Sequence, residues 1–221
     1  MQRLETIRAR AIARKGEEAF EAAMPAASNV ELSELGDDRI LSAFARGVFQ
    51  AGFSWKVIEQ KWPGFEAAFH GFDVGRNALM SDDDLDRLLA DKGIVRNAQK
   101  ILSVRDNAVF LSELAREHGS AAKVVVSWPK DDVIGLYAML KSRGARLGGM
   151  TGPYALRTLG YDGFILSKSV VAALNEAGVI DGAATSKKAQ IAVQAAFNAW
   201  QEESGESYAR ISRTLALSVP D

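Results

Sequence analysis

The sequence predicts an all-α fold. Apolar residues recur at helical spacing along almost the whole chain. Proline is scarce, five in 221 residues, so little interrupts that pattern. No Asn-Gly or Asp-Gly pair lies between alternating apolar runs, as a two-residue hairpin requires. The one strand-like piece, Val124-Val125-Val126, is too short to found a sheet.

Each element has its own local signal. An Ala-, Arg- and Glu-rich helix is expected from about Leu4 to Met24, stopped by Pro25. A polar connector, Ala26–Gly36, leads to a second helix from about Asp37 to Phe53. Asp37 and Asp38 suit its positive N-terminal end. Trp62-Pro63-Gly64 is expected to break the chain, after which Phe65, Phe69 and Phe72 form an aromatic face. Ser81 and Asp84 form a capping box ahead of Leu85, Leu88 and Leu89. A long amphipathic helix follows from about Arg96 to His118, stopped by Gly119. Ser127-Trp128-Pro129 opens the next, with Asp131 and Asp132 in its first turn, Lys141 and Arg143 in its last, and Gly144 beyond. Further helices start near Thr151, span about Ser167–Ala177, and begin at Ser186 and Ser207.

Composition narrows the function. With 27 Lys and Arg against 28 Asp and Glu, binding of nucleic acid by bulk positive charge is excluded, although a local basic face is not. Cysteine is absent, which removes disulfides, thiol catalysis and thiolate zinc sites. His70 and His118 are the only histidines, so no dedicated metal site is expected. No apolar run approaches the ~18 residues of a membrane span. The N-terminal stretch lacks the unbroken apolar core of a secretory signal, so a cytoplasmic protein is expected.

Three segments could carry chemistry. The first runs Phe49-Gln50-Ala51-Gly52-Phe53-Ser54-Trp55 and continues at Lys61–Glu66. Its aromatic rings either fill the core or line a slot for a flat ring such as a nucleobase. The second, Arg143–Gly152, is a Gly-rich bend between two helices. It is either a plain connector or a cradle whose free amides, with Arg143, Arg146 and Arg157, hold a phosphate. Walker-loop spacing is absent from it. The third, Ile94-Val95-Arg96-Asn97 with Lys100 and Arg105–Asn107, is either a solvated helix face capped by Asn97 or a polar strip beside the slot.

In this order the segments resemble the bacterial type I DNA-3-methyladenine glycosylases of the helix-hairpin-helix superfamily. The resemblance rests on Gln50-Ala51-Gly52-Phe53-Ser54-Trp55, Phe69-His70-Gly71-Phe72-Asp73, Ile94-Val95-Arg96-Asn97 with Lys100-Ile101, then Arg143–Gly152 and Tyr154. It spans roughly Asp37 to Leu174. It implies about ten short helices in two lobes around a cleft. Residues 1–221 would form one glycosylase-like domain: an N-terminal helix and connector at 1–30, a core at 37–174, and C-terminal helices at 175–221. It further implies an enzyme of base excision repair that flips out and excises alkylated purines such as 3-methyladenine. Double-stranded DNA with an alkylated base is then the partner and a monomer the expected state, while the composition leaves no membrane, metal or cofactor to be expected.

On this reading Trp55 stacks on the flipped base, with Phe49, Phe53 and Gly47 around it. Gly148, Gly149 and Thr151 supply amides to phosphate, and Arg146 adds a charge. Arg96, Asn97 and Tyr154 support the pocket, Tyr154 being either core or site. The chain departs from the family in three places. Typical members bind a structural zinc through cysteines and histidines, and this chain has no cysteine. Its N-terminal helix replaces the segment that carries the family's pocket tyrosines. Gly47 stands where the family's base-recognising glutamate would be. The superfamily's catalytic aspartate finds only serines in Phe164–Ser169, as in type I enzymes generally. The C-terminal segment Ala195–Trp200 points to a zinc-free branch.

No catalytic residue is assigned by this reading. Asp37 and Asp38 are either caps or acids, and Glu59 and Glu66 are left as carboxylates that could replace the missing one. A non-catalytic damaged-DNA binding protein that kept the fold is the alternative, and a relic binding another flat molecule is a third.

Overall fold

The computed structural model of the chain describes residues 1–26 and 34–220, so most of the expected connector at 26–36 lies outside the described residues. The described residues form thirteen α-helices and no strand. In chain order these are α1 (Leu4–Lys15), α2 (Glu17–Ala22), α3 (Asp37–Gln50), α4 (Trp55–Ala68), α5 (Val74–Ala78), α6 (Asp82–Ala90) and α7 (Ala98–His118). They continue as α8 (Ala121–Val126), α9 (Val133–Arg143), α10 (Thr151–Thr158), α11 (Lys168–Glu176), α12 (Lys187–Ser204) and α13 (Tyr208–Ser218). A 3-10 turn, His70–Phe72, joins α4 to α5.

Side-chain caps start many of the helices as the sequence predicts. Ser81 and Asp84 make a reciprocal capping box on α6. Asn97, Ser167, Ser186 and Ser207 each accept a backbone N–H in the first turn of α7, α11, α12 and α13.

Four expectations are corrected. The opening helix is two, divided at Gly16, whose φ of 81° no helix interior adopts. The second helix ends at Gln50, and Phe53 stands outside it. Pro63 does not break the chain but lies inside α4. Its missing N–H is outweighed by packing: Trp62 stacks on Phe65 and Phe72 at 5.1 and 5.5 Å, and its indole Nε1 donates to Glu66 at 3.1 Å. Val124–Val126 is the end of helix α8, because Ser120 caps it and Ala121, Ala122 and Val125 are buried.

The chain divides into two compact units. One comprises residues 1–28, 129–135 and 162–221. In it α13 packs against α1 and α11. Phe164 stacks on Phe197 at 4.0 Å, with Trp200 and Tyr208 edge-on to Phe197. The Trp200 indole donates to the Gln2 carbonyl at 3.0 Å.

The other unit comprises residues 29–128 and 136–161, and it carries every residue singled out above as a site candidate. Its axis is α3, buried from Ile40 to Ala45 and again from Gly47 to Gln50. A helix hydrophobic on nearly all sides must be wrapped by others. Here α7 and α10 flank it, and α4 folds back along it. Phe65, Phe69 and Phe72 stack in the core beneath α3, as their spacing predicts.

Candidate functional site: an aromatic corner beside a glycine hairpin

The corner between α3 and α4 is built by a lysine. Lys100, in the first turn of α7, is nearly fully buried. Its Nζ donates to the carbonyls of Ala51 at 2.7 Å and Phe49 at 3.2 Å, at the C-terminal end of α3, where a cation is favoured. The same ammonium lies 4.4 Å from the centre of the Phe53 ring. Burial, and then the charge of Arg146, hold its pKa below the ordinary lysine value. The turn so fixed leaves Phe53 and Trp55 in solvent, 43% and 52% exposed. Trp55, the first residue of α4, meets the ring of Tyr154 edge to face at 5.6 Å.

Tyr154 belongs to α10, the second helix of the hairpin. Asn107 of α7 clamps the bend from inside. It accepts from the Ala145 N–H at 2.8 Å and donates to the Ala145 carbonyl at 3.0 Å. Arg146 adopts φ 61°, a left-handed conformation costly for a non-glycine residue, and its guanidinium donates to Gln99. Leu147 is the buried anchor. Gly152 is required beside it, since a Cβ there would lie 2.6 Å from the Leu147 carbonyl oxygen.

Gly149 turns the bend at φ 63°. The amides of Gly148, Gly149 and Met150 have no acceptor among the described residues. The Thr151 N–H points to the Gly148 carbonyl at 3.4 Å, so of the three amides expected to face phosphate it has an internal partner. Met150, 46% exposed, adds an apolar tip.

The remaining candidates sort by what they touch. Phe49 is corrected: it is fully buried and edge-on to Phe65 at 4.6 Å, so it is core and presents no face to a ligand. Gly47 is a packing position. A Cβ on it would lie 3.1 Å from the Thr151 carbonyl oxygen and 3.2 Å from the Ala155 Cβ, so its lack of a side chain lets α3 and α10 close together. Asn97 is occupied as the N-cap of α7. Arg96 precedes it, exposed and with no polar partner among the described residues.

The carboxylates divide likewise. Asp37 accepts from the Ser120 hydroxyl and the Ala122 N–H at the start of α8, and Asp38 pairs with Arg39. Glu66 accepts from Arg39 through both oxygens, from Ser42 and from Trp62. Burial works to raise its pKa, but these donors outweigh it and hold the carboxyl below its ordinary value. Glu59 stands one helical turn after Trp55. It accepts from the Gln50 side-chain amide at 3.0 Å and pairs with Arg46 at 3.4 Å. Sequence pattern marks Gln50 only within the aromatic segment and does not mark Arg46, because each pairing with Glu59 joins two helices.

The structural zinc that the resemblance implies has no fitting donors. The chain lacks cysteine, and no three His, Asp or Glu side chains gather for a metal among the described residues. No described helix is long and apolar enough to cross a membrane.

The sequence model of the family described as methyladenine glycosylase matches residues 33–155. DNA-3-methyladenine glycosylase 1 of Escherichia coli (strain K12) is 41% identical over 59 residues, covering 27% of this chain and 32% of that protein. DNA-3-methyladenine glycosylase of Haemophilus influenzae is 34% identical over the same length and share. The matched stretch thus spans about a third of the curated relatives. The solved 3-methyladenine DNA glycosylase I of Staphylococcus aureus superposes with a TM-score of 0.51 at 23% identity, covering 57% of this chain and 77% of that one. A variant of 3-methyladenine DNA glycosylase I in complex with 3-methyladenine gives 0.50 at 23%, covering 58% and 80%. At that identity the likeness is one of fold.

Proposed function

The chain belongs to the methyladenine glycosylase family, whose sequence model covers more than half of it, and from that premise we propose that it is a DNA N-glycosylase that excises alkylated purines such as 3-methyladenine. The observation that carries this is the Trp55 indole, exposed yet held edge-on by Tyr154 of the hairpin's second helix. A fixed aromatic face standing in solvent has no role in the core and suits a flat cationic base.

The chemistry needs little more. An N3-methylated adenine in DNA already carries positive charge. When its glycosidic bond breaks, the bonding electron pair leaves with the base, which departs neutral. Water then adds at the sugar carbon and releases a proton. A leaving group activated in this way demands less general-acid help than an ordinary purine. Stacking on an aromatic face contributes on the order of 1–3 kcal/mol, and cation–π attraction roughly 0.5–2 kcal/mol. Extruding the nucleotide costs a few kcal/mol. The free amides of Gly148 and Gly149, with Arg146, would hold the backbone phosphates meanwhile. On this reading the protein acts as a cytoplasmic monomer on double-stranded DNA.

The Gly47 position favours one rival, a damaged-DNA binding protein without catalysis, because a glycine there offers no carboxylate to a cationic base. Incubation with methylated duplex DNA separates the two. Release of free 3-methyladenine, lost in Trp55→Ala, supports the enzyme. Tight binding to damaged duplex with no base release overturns it in favour of the rival.

A further inference from the structure

We infer that Glu59 supplies the negative charge that recognises the cationic base, a charge that Gly47 does not carry. The inference rests on the glycosylase reading and goes beyond it by naming the residue. A cationic purine bound to Trp55 leaves its positive charge to be met by an anion. The Cβ direction of Gly47 meets the Thr151 carbonyl oxygen at 3.1 Å and the Ala155 methyl at 3.2 Å, so the position carries no carboxylate and a side chain there would press on α10.

Most other acids around this unit's central helix are committed to structure. Asp37 caps α8, Asp38 pairs with Arg39, Glu66 is held by Arg39, Ser42 and Trp62, and Glu113 and Glu117 pair with Arg143.

Glu59 is placed differently. It follows Trp55 by four residues on α4, so the two side chains share a face of that helix. That face meets α10 through the Trp55–Tyr154 contact and α3 through Glu59. On α3 its partners bracket Gly47: Arg46 precedes it, and Gln50 lies one turn on, on the same face. The carboxylate therefore reaches the neighbourhood of the vacated position from the opposite helix.

Glu59 is also oriented without being used up. One oxygen accepts from Gln50 and the other lies 3.4 Å from the Arg46 guanidinium, while a carboxylate offers about four lone-pair sites. Its side chain is half exposed, leaving acceptor capacity for the exocyclic amine of a methylated adenine.

The test uses the full chain and duplex DNA carrying 3-methyladenine. Single-turnover base release, duplex affinity and Tm are measured for wild type, Glu59→Gln and Glu59→Asp. Glu59→Gln keeps shape and hydrogen bonding but removes the charge. It is expected to slow release at least tenfold with duplex affinity and Tm unchanged, while Glu59→Asp, which keeps the charge, recovers part of the rate. Glu59→Gln within twofold of wild type overturns the inference and leaves the glycosylase reading intact. Equal losses in Glu59→Gln and Glu59→Asp also overturn it, since charge would then not be what matters. A wild-type protein that releases no base overturns both readings.

Discussion

Trp55 and Tyr154 meet with their ring planes at 86°, an edge-to-face contact between the first residue of α4 and the hairpin's second helix. The contact fixes the indole while leaving it half in solvent. Trp55→Ala should therefore cost little stability and much function. Loss of one stacked base, on the order of 1–3 kcal/mol, corresponds to roughly 5- to 150-fold slower base release. Tm should move by only a degree or two. Parallel release assays and thermal melts check this, and a large fall in Tm with unchanged release would place Trp55 in the fold alone.

Restoring the family's glutamate should harm this protein. Gly47→Glu drives a side chain into the Thr151 carbonyl and the Ala155 methyl across the α3–α10 contact. Overpacking of this kind costs about 1–3 kcal/mol. Chemical denaturation should show that loss, and base release should fall with it. A faster, equally stable Gly47→Glu would show that the helices can part.

The hairpin yields a paired prediction. Gly152→Ala sets a methyl 2.6 Å from the Leu147 carbonyl oxygen, so the bend must distort, at about 1–3 kcal/mol. Arg146→Ala leaves Leu147 and the Asn107 clamp in place. Its effect should be confined to DNA: weaker duplex binding whatever the sequence, and a slope of log affinity against log salt reduced by about one. Binding titrations over a salt series check it, and an unchanged slope removes Arg146 from the phosphate contact.

Acid should loosen the α3–α4 packing through Glu66. Its carboxyl is held below its ordinary value of 4.5 by Arg39, Ser42 and Trp62. A depressed carboxylate adds stability that is present above the unfolded-state value and lost as pH falls through the folded one. Wild type should therefore lose Tm on acidification below about pH 4.5 more steeply than Glu66→Gln, which has no charge to lose. At pH 7 the variant should be less stable by about 1–3 kcal/mol, since a charged partner is removed from Arg39. Melts across pH for both proteins decide it. Parallel curves would mean the Arg39–Glu66 pair carries no net stability.

Local physics made much of this molecule readable beforehand. Ser81, Asn97, Ser167, Ser186 and Ser207 announce helix starts because capping involves only residues a turn apart. The aromatic series Phe65, Phe69 and Phe72 announces a buried face for the same reason. Misreadings occurred where packing overrode a local preference. Pro63 is a breaker by its own chemistry, yet the stacked Trp62 keeps α4 whole. The β-branched run Val124–Val126 is drawn into a helix by the Ser120 cap and by burial. The exposure of Trp55 beside the burial of Phe49 could not be read either, since both lie in one aromatic stretch and only the turn held by Lys100 separates them.

By itself, the amino-acid order determined that this chain is helical, where most helices begin, and which residue types lie along the aromatic corner and the hairpin. Those properties depend on neighbours within one or two turns. Tertiary structure alone decided that Gly47 is pressed shut by α10, that Glu59 is drawn toward α3 by Arg46 and Gln50, and that Asn107 clamps the bend. Each of these is a meeting of side chains from different helices, set by how close two helix axes can approach, and no spacing within one segment encodes that distance.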